Sequence, residues 1–132
     1  MTKSHPIHIH DERSLAVAVL EATYVAKEMD FTPIAIQQVA TVTSELARNI
    51  LKYAGRGQVK LERLAQGGRR GVRIIASDRG PGIEDIEQAM AEHYSSGGTL
   101  GLGLSGAKRM MDDFIVTSQP GEGTRVEALK WQ

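Results

Sequence analysis

With 132 residues the chain is long enough for a hydrophobic core of its own, and we expect residues 1–132 to form a single domain. Lys plus Arg and Asp plus Glu number 16 each, a balance that gives no support for nucleic acid or an anionic membrane as partner. There is no cysteine, no apolar leader and no apolar run near the ~20 residues that a membrane span needs. We therefore expect a cytoplasmic protein without disulfides or thiolate metal sites.

The first half of the chain predicts one strand and two helices. Residues 5–10 alternate between apolar and polar, which predicts a short strand with two histidines on one face. Apolar residues at helical spacing predict a helix over 11–29. A second helix is predicted over 33–53, because Thr32 can cap its start and Gly55 can end it.

The second half of the chain changes to strand periodicity. The pattern predicts, in order, strands 58–66 and 70–77, a turn 78–82, helices 83–91 and 103–112, and strands 113–119 and 123–131. Strands segregated from helices in this order indicate an α+β fold, in which helices cover one face of a sheet.

The second helix carries a polar stripe. Gln38, Thr41, Glu45, Asn49 and Lys52 fall on one narrow face at about 100° per residue, opposite an apolar face. A solvated surface accounts for most such stripes. Glu45 and Asn49, however, lie one turn apart. A carboxylate can accept a proton or orient a hydroxyl, and an amide oxygen is a good ligand for Mg²⁺.

Two glycine-rich segments lie in the second half of the chain. In SDRGPGI, Asp78 ends a predicted strand, where it could accept a hydrogen bond from an exocyclic amine such as that of adenine. Gly80 and Gly82 would let a flat base approach the backbone, although a purely structural turn needs no such role. The segment GLGLSG, residues 101–106, has dinucleotide-fingerprint spacing, but no predicted strand precedes it. A phosphate-binding loop at a helix N-terminus is the better interpretation.

Four segments in order resemble the GHKL superfamily of ATP-binding domains, which includes histidine kinases, type II topoisomerase subunits, Hsp90 and MutL. They are SELARNILKYAG, DRGPGI, GGTLGLGLSGAKRMMDDF and GEGTRVEALKW. ELARN, GAKRMMDDF and the final KW are similar to the anti-sigma-factor serine/threonine kinases, and to the RsbT type of switch kinase more than to RsbW or SpoIIAB. The resemblance covers about residues 10–131. It implies the Bergerat fold, a two-layer α/β sandwich with a mixed, mostly antiparallel sheet.

The resemblance also implies roles for individual residues. Glu45 would be the catalytic base, Asn49 would hold Mg²⁺ on the triphosphate, and Lys52 would lie near the phosphates. Asp78 would bind the adenine amine, and Thr124 would support the adenine site through water. The other expected ATP-binding residues belong to or adjoin the two glycine motifs: Gly80, Gly82, Ile83, Gly98, Thr99, Leu100, Gly101, Leu102, Gly103 and Leu104.

The chain departs from the wider superfamily in two ways. The predicted ATP lid, residues 92–100, is short, and Thr99 interrupts a run that is often pure glycine. None of the four histidines lies on a predicted helix, which argues against a phospho-accepting histidine.

The activity implied by the resemblance is ATP- and Mg²⁺-dependent phosphorylation of serine or threonine on a partner protein. The implied substrates are STAS-domain antagonists of the RsbS and RsbR type, and the released kinase would activate an RsbU-type phosphatase. No nucleic acid or membrane partner is expected, and a homodimer stays open. Two alternatives also stay open: an RsbW- or SpoIIAB-like kinase that sequesters a sigma factor, and a nucleotide-gated binding module without catalysis.

Overall fold

The secondary structure follows the predicted order. The computed structural model describes residues 5–82, 90 and 103–132, and within them the chain forms five strands and three helices. These are β1 (Ile7–Ile9), α1 (Glu12–Glu28), α2 (Pro33–Tyr53), β2 (Gly57–Gln66), β3 (Arg69–Asp78), α3 (Gly103–Met110), β4 (Asp113–Gln119) and β5 (Gly123–Trp131). The helix predicted over 83–91 falls almost entirely outside the described residues.

Side-chain caps start both long helices. The Asp11 carboxylate accepts the backbone N–H of Ser14 at 2.8 Å, and the Ser14 hydroxyl accepts the backbone N–H of Asp11 at 3.1 Å, which forms a capping box before α1. Thr32 Oγ1 accepts the N–H of Ala35 at 3.2 Å before α2, and Pro33 occupies its first turn. The predicted starts of both helices are therefore confirmed.

The sheet is open and five-stranded, in the order β1-β2-β3-β5-β4. All four pairings of neighbouring strands are antiparallel. The two strands predicted over 58–66 and 70–77 form the hairpin of β2 and β3, whereas β5 lies between β3 and β4 although it follows β4 in the chain. The α+β class is confirmed, with a helical layer on one face of an antiparallel sheet.

The core lies between the helices and one face of the sheet. The strand residues that belong to the core recur at every second position, as in Val72, Ile74 and Ala76 of β3, because successive side chains point to opposite faces. α2 packs against α1, α3, β2 and β3 and contributes the fully buried Leu46. The helix that carries the polar stripe is therefore anchored through its apolar face.

No helix in the part of the chain that the structure describes is long and apolar enough to cross a membrane.

We expect Leu46→Ala to lower the free energy of unfolding by about 2–5 kcal/mol, because truncating a buried leucine leaves a cavity. The Leu46 side chain is 2% exposed. Urea unfolding followed by circular dichroism measures the change. Leu20→Ala is the matched control, because Leu20 is 70% exposed, and it should change stability by no more than about 0.5 kcal/mol. Equal losses in the two variants would contradict the central position of α2.

Candidate active site

The polar stripe of α2 is partly covered rather than fully solvated. Gln38, Thr41, Glu45 and Asn49 are half-buried, and only Lys52 is exposed. A solvated surface is therefore the wrong description for most of the stripe.

Glu45 and Asn49 lie one turn apart on α2 with their polar atoms uncommitted. Neither side chain forms a hydrogen bond or ion pair with any residue that the structure describes. By contrast, the intervening Arg48 is exposed and pairs with Glu12 at 3.3 Å. A carboxylate and an amide held on one helical face can orient a hydroxyl and ligate a metal ion, respectively.

Asp78 ends β3 on the face that the helices cover. It follows the buried Ala76 by two residues, so the two side chains share that face. Its Oδ1 accepts the backbone N–H of Gly80 at 2.9 Å. The carboxylate also lies close to α2, because a Cβ added at Gly57 would be 3.0 Å from the Asp78 Cβ and 2.9 Å from the Ile50 Cγ2.

The turn after β3 is held on both sides. A Cβ added at Gly80 would lie 2.7 Å from the Cβ of Ala54, which ends α2. On the other side, the N–H of Gly121 donates to the carbonyl of Pro81 at 2.8 Å, and a Cβ on Gly82 would overlap a backbone carbonyl of β4. The glycines of this turn therefore allow backbone to approach both α2 and the β4–β5 turn.

The predicted partner Thr124 lies directly beside Asp78. The register of β3 and β5 pairs the two residues. Thr124 Oγ1 lies 3.0 Å from Ser118 Oγ, which donates to the carbonyl of Gly123 at 3.1 Å. The sequence reasoning did not single out Ser118 or Gly123. The alternation of β4 against β5 was the only signal that could have found Ser118.

The structure describes the second glycine motif only from Gly103 onwards. Gly103 begins α3 with a φ of +65°, and Leu104 is 7% exposed in the core. Any contact of Leu104 with a ligand would therefore come from its backbone. The predicted lid over 92–100 and the remaining predicted residues lie outside the described residues: Ile83, Gly98, Thr99, Leu100, Gly101 and Leu102.

The described residues fit a bound ATP with its Mg²⁺. Gly80 and Gly82 lack side chains where their backbone lies close to neighbouring elements. The Oδ2 of Asp78 has no protein partner in the described ranges. The same ranges contain no group of three or more acidic, histidine or cysteine side chains that could hold a metal. One amide ligand, Asn49, suits an ion that keeps most of its coordination to phosphates and water.

Comparison with known proteins agrees with this geometry. The family described as histidine kinase-, DNA gyrase B-, and HSP90-like ATPase matches residues 35–131. The serine/threonine-protein kinase RsbT of Bacillus subtilis (strain 168) is 45% identical over 125 residues, or 95% of this chain and 94% of RsbT. An anti-sigma F factor of Clostridium beijerinckii is 36% identical over 126 residues, or 90% of this chain and 86% of that factor.

The fold is also found in a solved structure. The RsbU and RsbW domains of a Mycobacterium tuberculosis protein superpose with a TM-score of 0.62 at 16% identity, over 97% of this chain and 33% of that one. The chain thus belongs to the histidine kinase-, DNA gyrase B- and HSP90-like ATPase family, the GHKL superfamily. Within it, the chain is an enzyme of the protein kinase branch that includes RsbT, with anti-sigma F factors as further relatives.

We expect Gly123→Ala to destabilise the protein and weaken ATP binding together. Gly123 has a φ of +120°, and a Cβ there would overlap the carbonyl oxygen of Asp78. The strained backbone alone costs about 1–3 kcal/mol, and Asp78 must also move. Urea unfolding and calorimetry with ATP measure the two effects.

Gly121→Ala is the control for backbone strain. Gly121 has a φ of +81° but open space around an added Cβ, so only a strain of about 1–2 kcal/mol is expected, with ATP affinity retained. Equal loss of ATP affinity in both variants would contradict the close packing of Gly123 on Asp78.

Proposed function

We propose that this chain is an ATP-dependent serine/threonine protein kinase of the RsbT type in a cytoplasmic partner-switching module. Its substrates are STAS-domain antagonists resembling RsbS and RsbR, and the released kinase activates an RsbU-type phosphatase. The observation that carries the proposal is the uncommitted carboxylate of Glu45, one turn from Asn49, on a helix whose end contacts the Asp78 turn. The identity with RsbT over nearly the whole of both chains supports the same assignment.

Phosphoryl transfer depends on alignment and charge neutralisation more than on covalent chemistry. When bound, Mg·ATP supplies the phosphoryl group and the cation that neutralises its charge. Asp78 accepts a hydrogen bond from the adenine amine, and Thr124 supports the same end of the site. Asn49 offers its amide oxygen to the metal, and Lys52 contributes positive charge near the phosphates. Glu45 would then orient the attacking hydroxyl of the partner and accept its proton, while the hydroxyl oxygen bonds to the γ-phosphorus and ADP leaves.

An anti-sigma function of the RsbW or SpoIIAB type is the second candidate. The 36% identity with an anti-sigma F factor favours it. Both candidates need ATP and a partner serine or threonine, so catalysis does not separate them. A pull-down experiment separates them, with a STAS-domain protein, an RsbU-type phosphatase and a sigma factor as baits. Capture of the sigma factor, and not of the phosphatase, would replace the first candidate by the second. Sedimentation of the purified chain tests the homodimer.

We expect Glu45→Gln to retain Mg·ATP binding and to lower phosphoryl transfer by about 100-fold or more, since a general base contributes about that factor. Asn49→Ala should lose both Mg·ATP binding and transfer, because the metal loses its protein ligand. Calorimetry and radiolabel transfer to a STAS-domain protein measure the two properties. Arg48→Ala, on the exposed position between them, should preserve both. Equal loss of binding in the Glu45 and Asn49 variants would remove the assigned role of Glu45.

We expect Asp78→Asn to weaken ATP binding by about 10- to 100-fold, the range for losing a hydrogen bond to a charged group. The carboxamide can accept the Gly80 N–H only by turning its NH₂ towards the adenine amine, which places two donors together. The measurement is calorimetry with ATP, with the unfolding midpoint as a check on folding. Wild-type binding without transfer would leave a nucleotide-gated module, and no wild-type binding would overturn the proposal.

A further inference from the structure

A cavity of about 600 Å³ lies at the edge of the sheet where β1 ends, β2 begins and β3 ends. We call it the basic cleft. Its charged and polar lining consists of His8, His10, Arg56, Gln58, Ser77 and Arg79, together with the one carboxylate of Asp78. It borders Asp78 on the side of β1 and β2, whereas Thr124 of the candidate ATP site borders Asp78 on the side of β5.

The strand register brings the two arginines of the basic cleft together. Gly57 of β2 pairs with Asp78 of β3 in antiparallel register. Arg56 directly precedes one and Arg79 directly follows the other, so the next outward positions both carry a guanidinium. Both residues are exposed, and neither has an ion pair among the residues that the structure describes. Neighbouring like charges across a strand pair repel each other. An anion bound between the two guanidinium groups would replace this repulsion by attraction.

Several arginines elsewhere in the described part of the chain form ion pairs. Four each contact a glutamate at 3.3 Å or less: Arg48, Arg63, Arg73 and Arg125. The carboxylate bordering the basic cleft, that of Asp78, already accepts the N–H of Gly80. The two arginines of the cleft therefore keep a charge that no described acidic side chain neutralises.

A row of hydrogen-bonding side chains crosses the three strands beside these arginines. His8 pairs in register with Gln58, and Gln58 pairs with Ser77. The row lies on the sheet face opposite the helices, because the flanking Ile9 is buried in the core. An imidazole, an amide and a hydroxyl can each donate a hydrogen bond. A phosphate group has three strong acceptor oxygens and needs several such donors, whereas a carboxylate has two oxygens.

We propose that the basic cleft is a second anion site, which binds a phosphate monoester dianion. Two guanidinium groups match the charge of the dianion and can each bind it in a bidentate manner. The cavity is also large enough for part of the group that carries the phosphate. One source of the phosphate group is a phosphoserine or phosphothreonine of a phosphorylated partner, and this source rests on the proposed function. The other source is a small phosphorylated molecule, which does not depend on the proposed function.

The test uses calorimetry with three probes: N-acetyl-phosphoserine amide, inorganic phosphate and N-acetyl-glutamate amide. Saturating Mg·ADP is present throughout, so that the ATP site is occupied. We expect the phosphate probes to bind and the glutamate probe to bind at least about tenfold more weakly. Arg56→Gln and Arg79→Gln should each weaken phosphate binding by about 10- to 100-fold, the range for one charge-assisted hydrogen bond.

Arg70→Gln is the matched control. Arg70 is exposed at the far end of the same hairpin, with no ion pair to a described residue, and its loss should leave phosphate affinity unchanged. Proton NMR of the histidine ring signals should show two of the four histidines shifting on phosphate binding in wild type, and not in Arg56→Gln. Unfolding midpoints verify that every variant is folded.

The outcomes separate the two sources and the two proposals. Tighter binding of the phosphoserine amide than of inorganic phosphate supports a phosphorylated partner, and equal binding supports a small phosphorylated molecule. Absence of phosphate binding in the presence of Mg·ADP, equal binding of the glutamate amide, or an equal effect of Arg70→Gln would each overturn the site. Phosphoryl transfer is read in a separate assay, so the kinase assignment stands or falls independently of the cleft.

Discussion

The pairing of the last residue of β3 with a neighbour on each side determines where the functional groups of this protein lie. Asp78 stands opposite Gly57 on one side and Thr124 on the other. At Gly57 and Gly123 an added Cβ would meet Asp78 or its backbone, so the absence of side chains lets these strands approach. The position of the Asp78 carboxylate at the end of β3 is thus fixed, and its Oδ1 accepts the N–H of Gly80. A nucleotide base that donates a hydrogen bond to this carboxylate would therefore find a preorganised acceptor.

Helix α2 connects the core to this acceptor. Its buried side packs on the sheet through residues such as Leu46 and Ile50, and its last turn contacts the loop after β3 at Gly80. The half-buried Glu45 and Asn49 belong to the same rigid element. Packing that stabilises the fold therefore also sets the position of the proposed base and metal ligand relative to Asp78, which is the alignment that phosphoryl transfer requires.

The two sides of Asp78 differ in their chemistry. Towards β5, a hydroxyl pair formed by Ser118 and Thr124 adjoins the turn that contains Gly80 and Gly82, which suits a flat base. Towards β1, Arg56 and Arg79 flank a row of hydrogen-bond donors, which suits a compact anion. For a switch kinase this arrangement would join a site that consumes ATP to one that senses phosphate on a partner.

The sequence by itself determined the elements, their order and the candidate residues of α2. Helical spacing, the caps at Asp11 and Thr32 and strand alternation are local patterns, and the Glu45 and Asn49 pair follows from the pitch of one helix. The motif resemblance supplied the expected roles. Only the tertiary structure decided that β5 lies between β3 and β4, that Ser118 and Gly123 belong beside Asp78, and that Arg56 and Arg79 converge. These facts depend on which strands pair and in what register, because pairing follows the packing of whole faces and leaves no signal in the local periodicity.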